Sequence, residues 1–171
     1  MGAIGGSADM IMFEEEFSQI KEALSRLRMD ANAKMVFLVD RNGQQIAAQG
    51  EVDTVDVTSL ASLAAGNVAA TDGLAQLLGE KEFNGIFHEG EKDSLHISIV
   101  GERVILVIVF DQRSSLGLVR LRVRKATGEF NSIFDSIMKK SEKERDHMEA
   151  GGFESPFAEI TDEDIDSLFS E

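Results

Sequence analysis

Apolar positions near the start of the chain follow one period, then switch to another. Phe13, Phe17, Ile20, Leu24 and Leu27 recur at spacings of three and four, the stripe of an amphipathic helix. A first helix over about residues 10–31 follows, with Glu14, Glu15 and Glu16 at the positive end of its dipole and Ser7 or Asp9 as cap. Met35 to Val39 is then an unbroken apolar run, the mark of a strand covered on both faces. Asp40 to Gly43 contains an Asn-Gly turn signal, and Gln44 to Ala48 is the returning strand.

The next stretch, Thr58 to Leu78, reads as one long helix because Ala and Leu dominate it and no proline interrupts it. Its small residues fall on two adjacent ridges: Ala61, Ala65, Ala69 and Gly73 on one, Ser62, Gly66 and Ala70 on the other. An interior glycine costs a helix about 1 kcal/mol relative to alanine, so Gly66 and Gly73 answer a need for close approach. Either the smooth side packs on the chain's own sheet, or it meets another protein; the length of the ridge favours the second. Gly79 supplies a C-terminal stop.

Three strands follow. Asn84 to His88 is short and suits a sheet edge. Leu95, Ile97 and Ile99 alternate with Ser94, His96 and Ser98, a pattern that buries one face and leaves the other accessible. Val104 to Phe110 is again apolar throughout. Leu118 to Arg124 alternates like a strand, but the continuation to Met138 decides for a helix capped by Ser114 or Ser115. That helix turns Leu116, Val119, Val123, Phe130, Ile133, Phe134 and Ile137 inward. Hairpin-linked strands and two continuously apolar runs predict an α+β (α/β) architecture, an antiparallel sheet with helices on both faces. The domain spans residues 10–140, after a flexible N-terminus at 1–9. A linker at 141–155 leads to an acidic motif at 156–171.

Composition changes this picture in two ways. The 171-residue chain carries a net charge of −14, and residues 141–171 hold 11 acidic against 2 basic residues, net −9. A mildly acidic body with a strongly acidic tail argues against nucleic acid as the main ligand. There is no cysteine, which excludes disulfides, thiolate metal sites and cysteine nucleophiles. Met1 to Ser7 lacks a basic segment and an apolar run, so no signal peptide is expected, and no stretch reaches a membrane span. These features predict a cytoplasmic protein without membrane insertion.

Candidate chemistry is sparse. His88, His96 and His147 stand in no nucleophile-elbow context and read as exposed residues. Asp162 to Asp166 lacks the glycine and ligand ladder of a calcium loop. Gly73 to Lys81 has the wrong spacing for a phosphate loop and ends a helix instead of opening one. No catalytic residue, metal or cofactor is expected. Arg113, Arg120, Arg122, Arg124 and Lys125 form the one basic concentration; it is a solvated face, a partner for the glutamates of the first helix, or a contact for an acidic partner.

Lys34 to Gly43, Thr58 to Ala70, Phe87 to Gly90, Ser115 to Val123 and the tail Ser155 to Phe169 together resemble the bacterial polarity and gliding-motility branch of the roadblock family, relatives of dynein light chains. The resemblance implies a roadblock/profilin-like sandwich: a five-stranded antiparallel sheet with one helix on one face and two on the other. It implies a homodimer that binds a small Ras-like GTPase in its GTP state and speeds hydrolysis by reshaping the GTPase's own catalytic groups. A polarity role implies a place at a cell pole. The expected GTPase-binding or dimer surface is Ala61, Ala65, Gly66, Ala69, Ala70 and Gly73, with Ala69 and Gly73 carried over from the family. Thr71 and Asp72 depart from its pattern by adding a charge beside the ridge. The alternatives are a dimeric adaptor that leaves hydrolysis unchanged and a ligand-sensing module, the latter disfavoured by the absence of Trp and Tyr.

The tail carries its own pattern. Thr161 can cap a short helix with Asp164 three residues on. Ile165, Leu168 and Phe169 then share a face, preceded by Phe157 and Ile160. A purely solubilising tail has no use for these side chains, so they are expected to dock on the GTPase.

Overall fold

The computed structural model describes the backbone of residues 4–6 and 10–150 and the side chains of residues 13–147. The chain divides into two units, Met1–Met138 and Lys139–Glu171, and the sheet belongs to the first. Two short strands, β1 (Ile4–Gly6) and β2 (Met10–Met12), pair antiparallel with Ile4 opposite Met12. They correct the helix start expected at residue 10. Met10, Ile11 and Met12 are three successive apolar residues with no helical spacing, and the stripe begins only at Phe13. Helix α1 accordingly spans Glu14–Asp30, with extended Phe13 as its N-cap and no side-chain cap bond. Ser7 and Asp9 lie outside the described residues.

The main sheet comprises β3 (Met35–Asp40), β4 (Gln45–Gly50), β5 (Ile86–His88), β6 (Ser94–Val100) and β7 (Val104–Phe110), in the antiparallel order β4-β3-β7-β6-β5. The two continuously apolar runs are its central pair, with Phe37 opposite Val107. Every residue of β7 is buried, because helices cover both faces. Helix α2 (Val57–Leu78) lies over Met35, Phe37, Val39, Ile105 and Val107. Helices α1 and α3 (Leu116–Ala150) lie over Val36, Leu38, Leu106 and Ile108. From α3, Val119, Val123, Phe130, Ile133 and Ile137 are buried, with Leu116 and Phe134 partly so. Ser115 caps this helix, its Oγ accepting the Leu118 N–H at 3.2 Å. The helix continues to Ala150, through the first part of the linker expected from residue 141.

Two local expectations change. The β3–β4 connection is wider than a two-residue Asn-Gly hairpin, because Asp40 Oδ1 accepts the N–H groups of Asn42 and Gln44, both at 2.9 Å. That carboxylate organises the loop, and β4 starts at Gln45. On β6 the polar phase is not accessible: His96 is 4% and Ser98 6% exposed. They share the face covered by α1 and α3, where Val100 joins the core. Gly85 makes room for the imidazole, since a Cβ there would stand 3.2 Å from His96 Nε2.

Candidate functional site

Helix α2 connects β4 at one sheet edge to β5 at the other and so crosses the whole α2 face of the sheet. Its start is built by Asp56, whose Oδ1 accepts the Ser59 N–H at 3.1 Å and whose Oδ2 accepts the Ser59 hydroxyl at 2.6 Å. These hydrogen bonds hold the Asp56 carboxyl below its ordinary range. Gly79 ends the helix in the left-handed region at φ 73°, which glycine adopts without a Cβ clash.

The helix has two unlike sides. Ala61, Ala64, Ala65 and Val68 pack on the sheet, where the small alanines let the helix settle close to the strands, and Ala75 is buried farther along the helix. Ala61 and Ala65, two of the six expected surface residues, therefore belong to the chain's own core. Gly66, Ala69, Ala70 and Gly73 are exposed on the opposite side. A Cβ at Gly66 or Gly73 would meet nothing within 4 Å, so packing on the sheet does not explain either glycine. Around them stand Leu63, 71% exposed, Leu74, Leu77 and Leu78. Large apolar side chains concentrated on one exposed helix face mark an interaction surface.

Polar bonds fix this face to its surroundings. Arg41, from the β3–β4 loop, donates through Nη1 to Asp72 Oδ2 and through Nε to the Glu102 carbonyl, both at 2.8 Å. Asp72 is thus paired, and the departure at this position does not leave a free charge beside the ridge. Thr71 turns its hydroxyl back to the Asn67 carbonyl at 2.9 Å. Asn67 Nδ2 and His88 Nε2, 3.1 Å apart, link the helix to edge strand β5. Arg41 is a member of the site that periodicity did not reveal, because its role depends on three loops and helices meeting in space.

His88 is exposed on the edge, His147 is exposed near the end of α3, and His96 is in the core. Burial, reinforced by the positive charge of Arg120, lowers the His96 pKa and keeps the ring neutral. The five expected tail residues, Phe157, Ile160, Ile165, Leu168 and Phe169, and the acidic stretch Asp162 to Asp166 lie outside the described residues.

Residues 19–110 match the Roadblock/LC7 domain. The chain belongs to the roadblock family. Its strand order, and its division into one helix against two, is the roadblock fold predicted from the sequence. Among solved roadblock structures, Myxococcus xanthus MglB is 59% identical, with a TM-score of 0.70, covering 75% of this chain and 96% of that one. The gliding protein MglB of Thermus thermophilus is 30% identical, with a TM-score of 0.71, over 77% of this chain and 99% of that one. An MglB solved with a tetrameric arrangement matches equally, at 30% identity and a TM-score of 0.71 over the same 77% and 99%. Among curated proteins none matches. The roadblock likeness extends to the gliding-motility proteins in particular, and among the described residues no helix is long and apolar enough to cross a membrane.

Proposed function

We propose that this roadblock protein is a homodimeric regulator that accelerates GTP hydrolysis on a small Ras-like GTPase of the MglA type, in bacterial cell polarity and gliding motility. The observation that carries the reading is the exposed side of α2. Gly66, Ala69, Ala70 and Gly73 form a smooth strip that another backbone can approach closely, and Leu63, Leu74 and Leu77 border it with apolar surface. The GTPase and the second protomer share this face and together bury the leucines, at about 25 cal/mol per Å² of apolar surface removed from water. The likeness to MglB supports the assignment, and the tetrameric MglB relative supports self-association.

The chemistry belongs to the GTPase. Helix α2 contains neither lysine nor arginine, and Arg41 at its flank is held by Asp72 and the Glu102 carbonyl. A finger inserted from this strip would need a free guanidinium, worth about 10³–10⁵ in rate. The strip instead acts as a clamp that moves the GTPase's own catalytic groups into line. The tail residues Phe157, Ile160, Ile165, Leu168 and Phe169 dock on the same GTPase and raise affinity through tethering.

Single-turnover GTP hydrolysis with the cognate GTPase tests this. Stimulation by the full chain is expected, weakened by truncation after Lys140 and by Ile165→Asp with Phe169→Asp. Binding without any stimulation would make the protein an adaptor. Loss of stimulation with binding intact after replacing one of Arg103, Arg113, Arg120, Arg122 or Arg124 by Ala would identify a finger and overturn the clamp.

A further inference from the structure

Helix α3 presents a second outward face, separated from α2 by the sheet. Gly117, Leu121, Arg124 and Gly128 follow one another at spacings of four, three and four, and so fall on one line of the helix. Arg120 and Lys125 flank that line, and all six residues are exposed. The three cations stand within six residues of one another. Arg26, Lys34, Arg41 and Arg113 stand in ion pairs with carboxylates, whereas Arg120, Arg124 and Lys125 have no carboxylate partner among the described residues. Glu129, the next acid along the helix, is taken by Arg26 of α1. Unpaired positive charge thus runs from Arg120 to Lys125 on a protein of net charge −14.

The shape of the face agrees with its charge. Interior glycines lower helix stability, yet a Cβ at Gly117 or Gly128 would meet nothing within 4 Å. Neither is needed for packing inside the chain. Between them Leu121 is 46% exposed. The result is a cationic strip about 16 Å long, with an apolar anchor at its centre and no side chain at either end to hold another helix away.

We propose that this strip docks an acidic helical segment of a partner protein, with Leu121 as the apolar anchor. A protein segment fits better than an extended polyanion. Screening confines each charge to about 8 Å at physiological salt, so a short segment meets only the local cations. A membrane or a nucleic acid extends well past the strip and meets the acidic remainder of the chain. Because α2 faces away on the other side of the sheet, this docking leaves the α2 surface free. It does not depend on the nature of the α2 partner.

The test is fluorescence anisotropy of the full chain with a labelled amphipathic peptide of roughly 20 residues, long enough for marginal helicity. The peptide is rich in Glu with Leu on one face, and its control has Gln at every Glu. Parallel measurements use phosphatidylglycerol vesicles and single-stranded DNA. The Glu peptide is expected to bind, more weakly as salt rises, and roughly tenfold more weakly to Arg120→Glu with Arg124→Glu. Gly128→Gln keeps every charge and improves helix propensity, so its melting temperature should hold or rise while peptide affinity falls by roughly tenfold. Equal binding of the Gln peptide, indifference to the arginine pair, or indifference to Gly128→Gln would overturn the proposal. So would tighter charge-dependent binding of the vesicles or the DNA than of the peptide.

Discussion

His96 is where a single residue controls a measurable property of the whole fold. Its ring is buried in the layer between the sheet and α3, and desolvation together with Arg120 lowers its pKa below the ordinary histidine value of about 6.5. The unfolded chain therefore takes up a proton near that value, while the folded chain resists it. Stability is full above about pH 6.5 and falls as pH drops from there toward the depressed folded value. The carboxyls with lowered pKa, Asp56 and Asp111, lose their contribution only at lower pH, below the ordinary carboxylate value. Urea midpoints at pH 7.5 and 5.5 should thus show a loss in the native chain that is largely absent in His96→Leu. Gly50 gives a second prediction at this scale. It ends β4 at φ +109°, and an added Cβ would stand 2.2 Å from the Lys34 carbonyl oxygen and 2.9 Å from Met35 Cα. Gly50→Ala combines backbone strain with a clash against rigid main chain, and should lower unfolding free energy by about 2–3 kcal/mol in the same assay.

At the scale of an element, α2 separates two demands that are mixed along its sequence. Its inner side needs small residues so that the helix can sit close to Phe37 and Val107. Its outer side has small residues with empty space above them. Substitutions at Gly73 tell the two apart. Gly73→Ala should stabilise the fold by up to about 1 kcal/mol through helix propensity, read as a higher melting temperature. Gly73→Arg and Ala69→Arg should fold normally but fail to pull down the GTP-loaded GTPase, since a long charged side chain holds the partner off and is left unpaired if buried. Unchanged capture by both arginine variants would remove the basis for assigning this face. A loss of fold in Gly73→Arg, read by circular dichroism, would show instead that the site is structural.

Among the described residues, large exposed apolar side chains concentrate on one helix face. Leu63, Leu74, Leu77 and Leu78 are all more than half exposed. β5 pairs with β6 alone, and no other described strand pairs with its outer side. An open edge beside an apolar helix is an aggregation hazard unless a second copy covers it. Light scattering at micromolar concentration should therefore report about twice the chain mass of 18.7 kDa. Leu77→Asp should shift the population toward monomer. A single 18.7 kDa species for the native chain would leave the edge and the leucines without the dimer they are expected to form.

How far the sequence alone reaches depends on the range of the interaction. Element identity was legible wherever one periodicity ran for several turns or a strand was covered on both sides, as in α1 beyond Phe13, β3, β7 and α3. Those patterns are local, and local backbone preference and burial agree in them. Caps and stops were legible for the same reason at Ser115 and Gly79. The small ridge of α2 was visible too, and with the other segments it led to the roadblock family. Which ridge faces the sheet was decided only in three dimensions: Ala61 and Ala65 look like Ala69 and Ala70 in the sequence, and helix rotation alone separates them. The pairing of Asp72 with Arg41 and the burial of His96 and Ser98 beneath the helix layer have the same origin. Each depends on elements distant in the chain coming to lie against one another, and a polar residue changes meaning when a second layer closes over it.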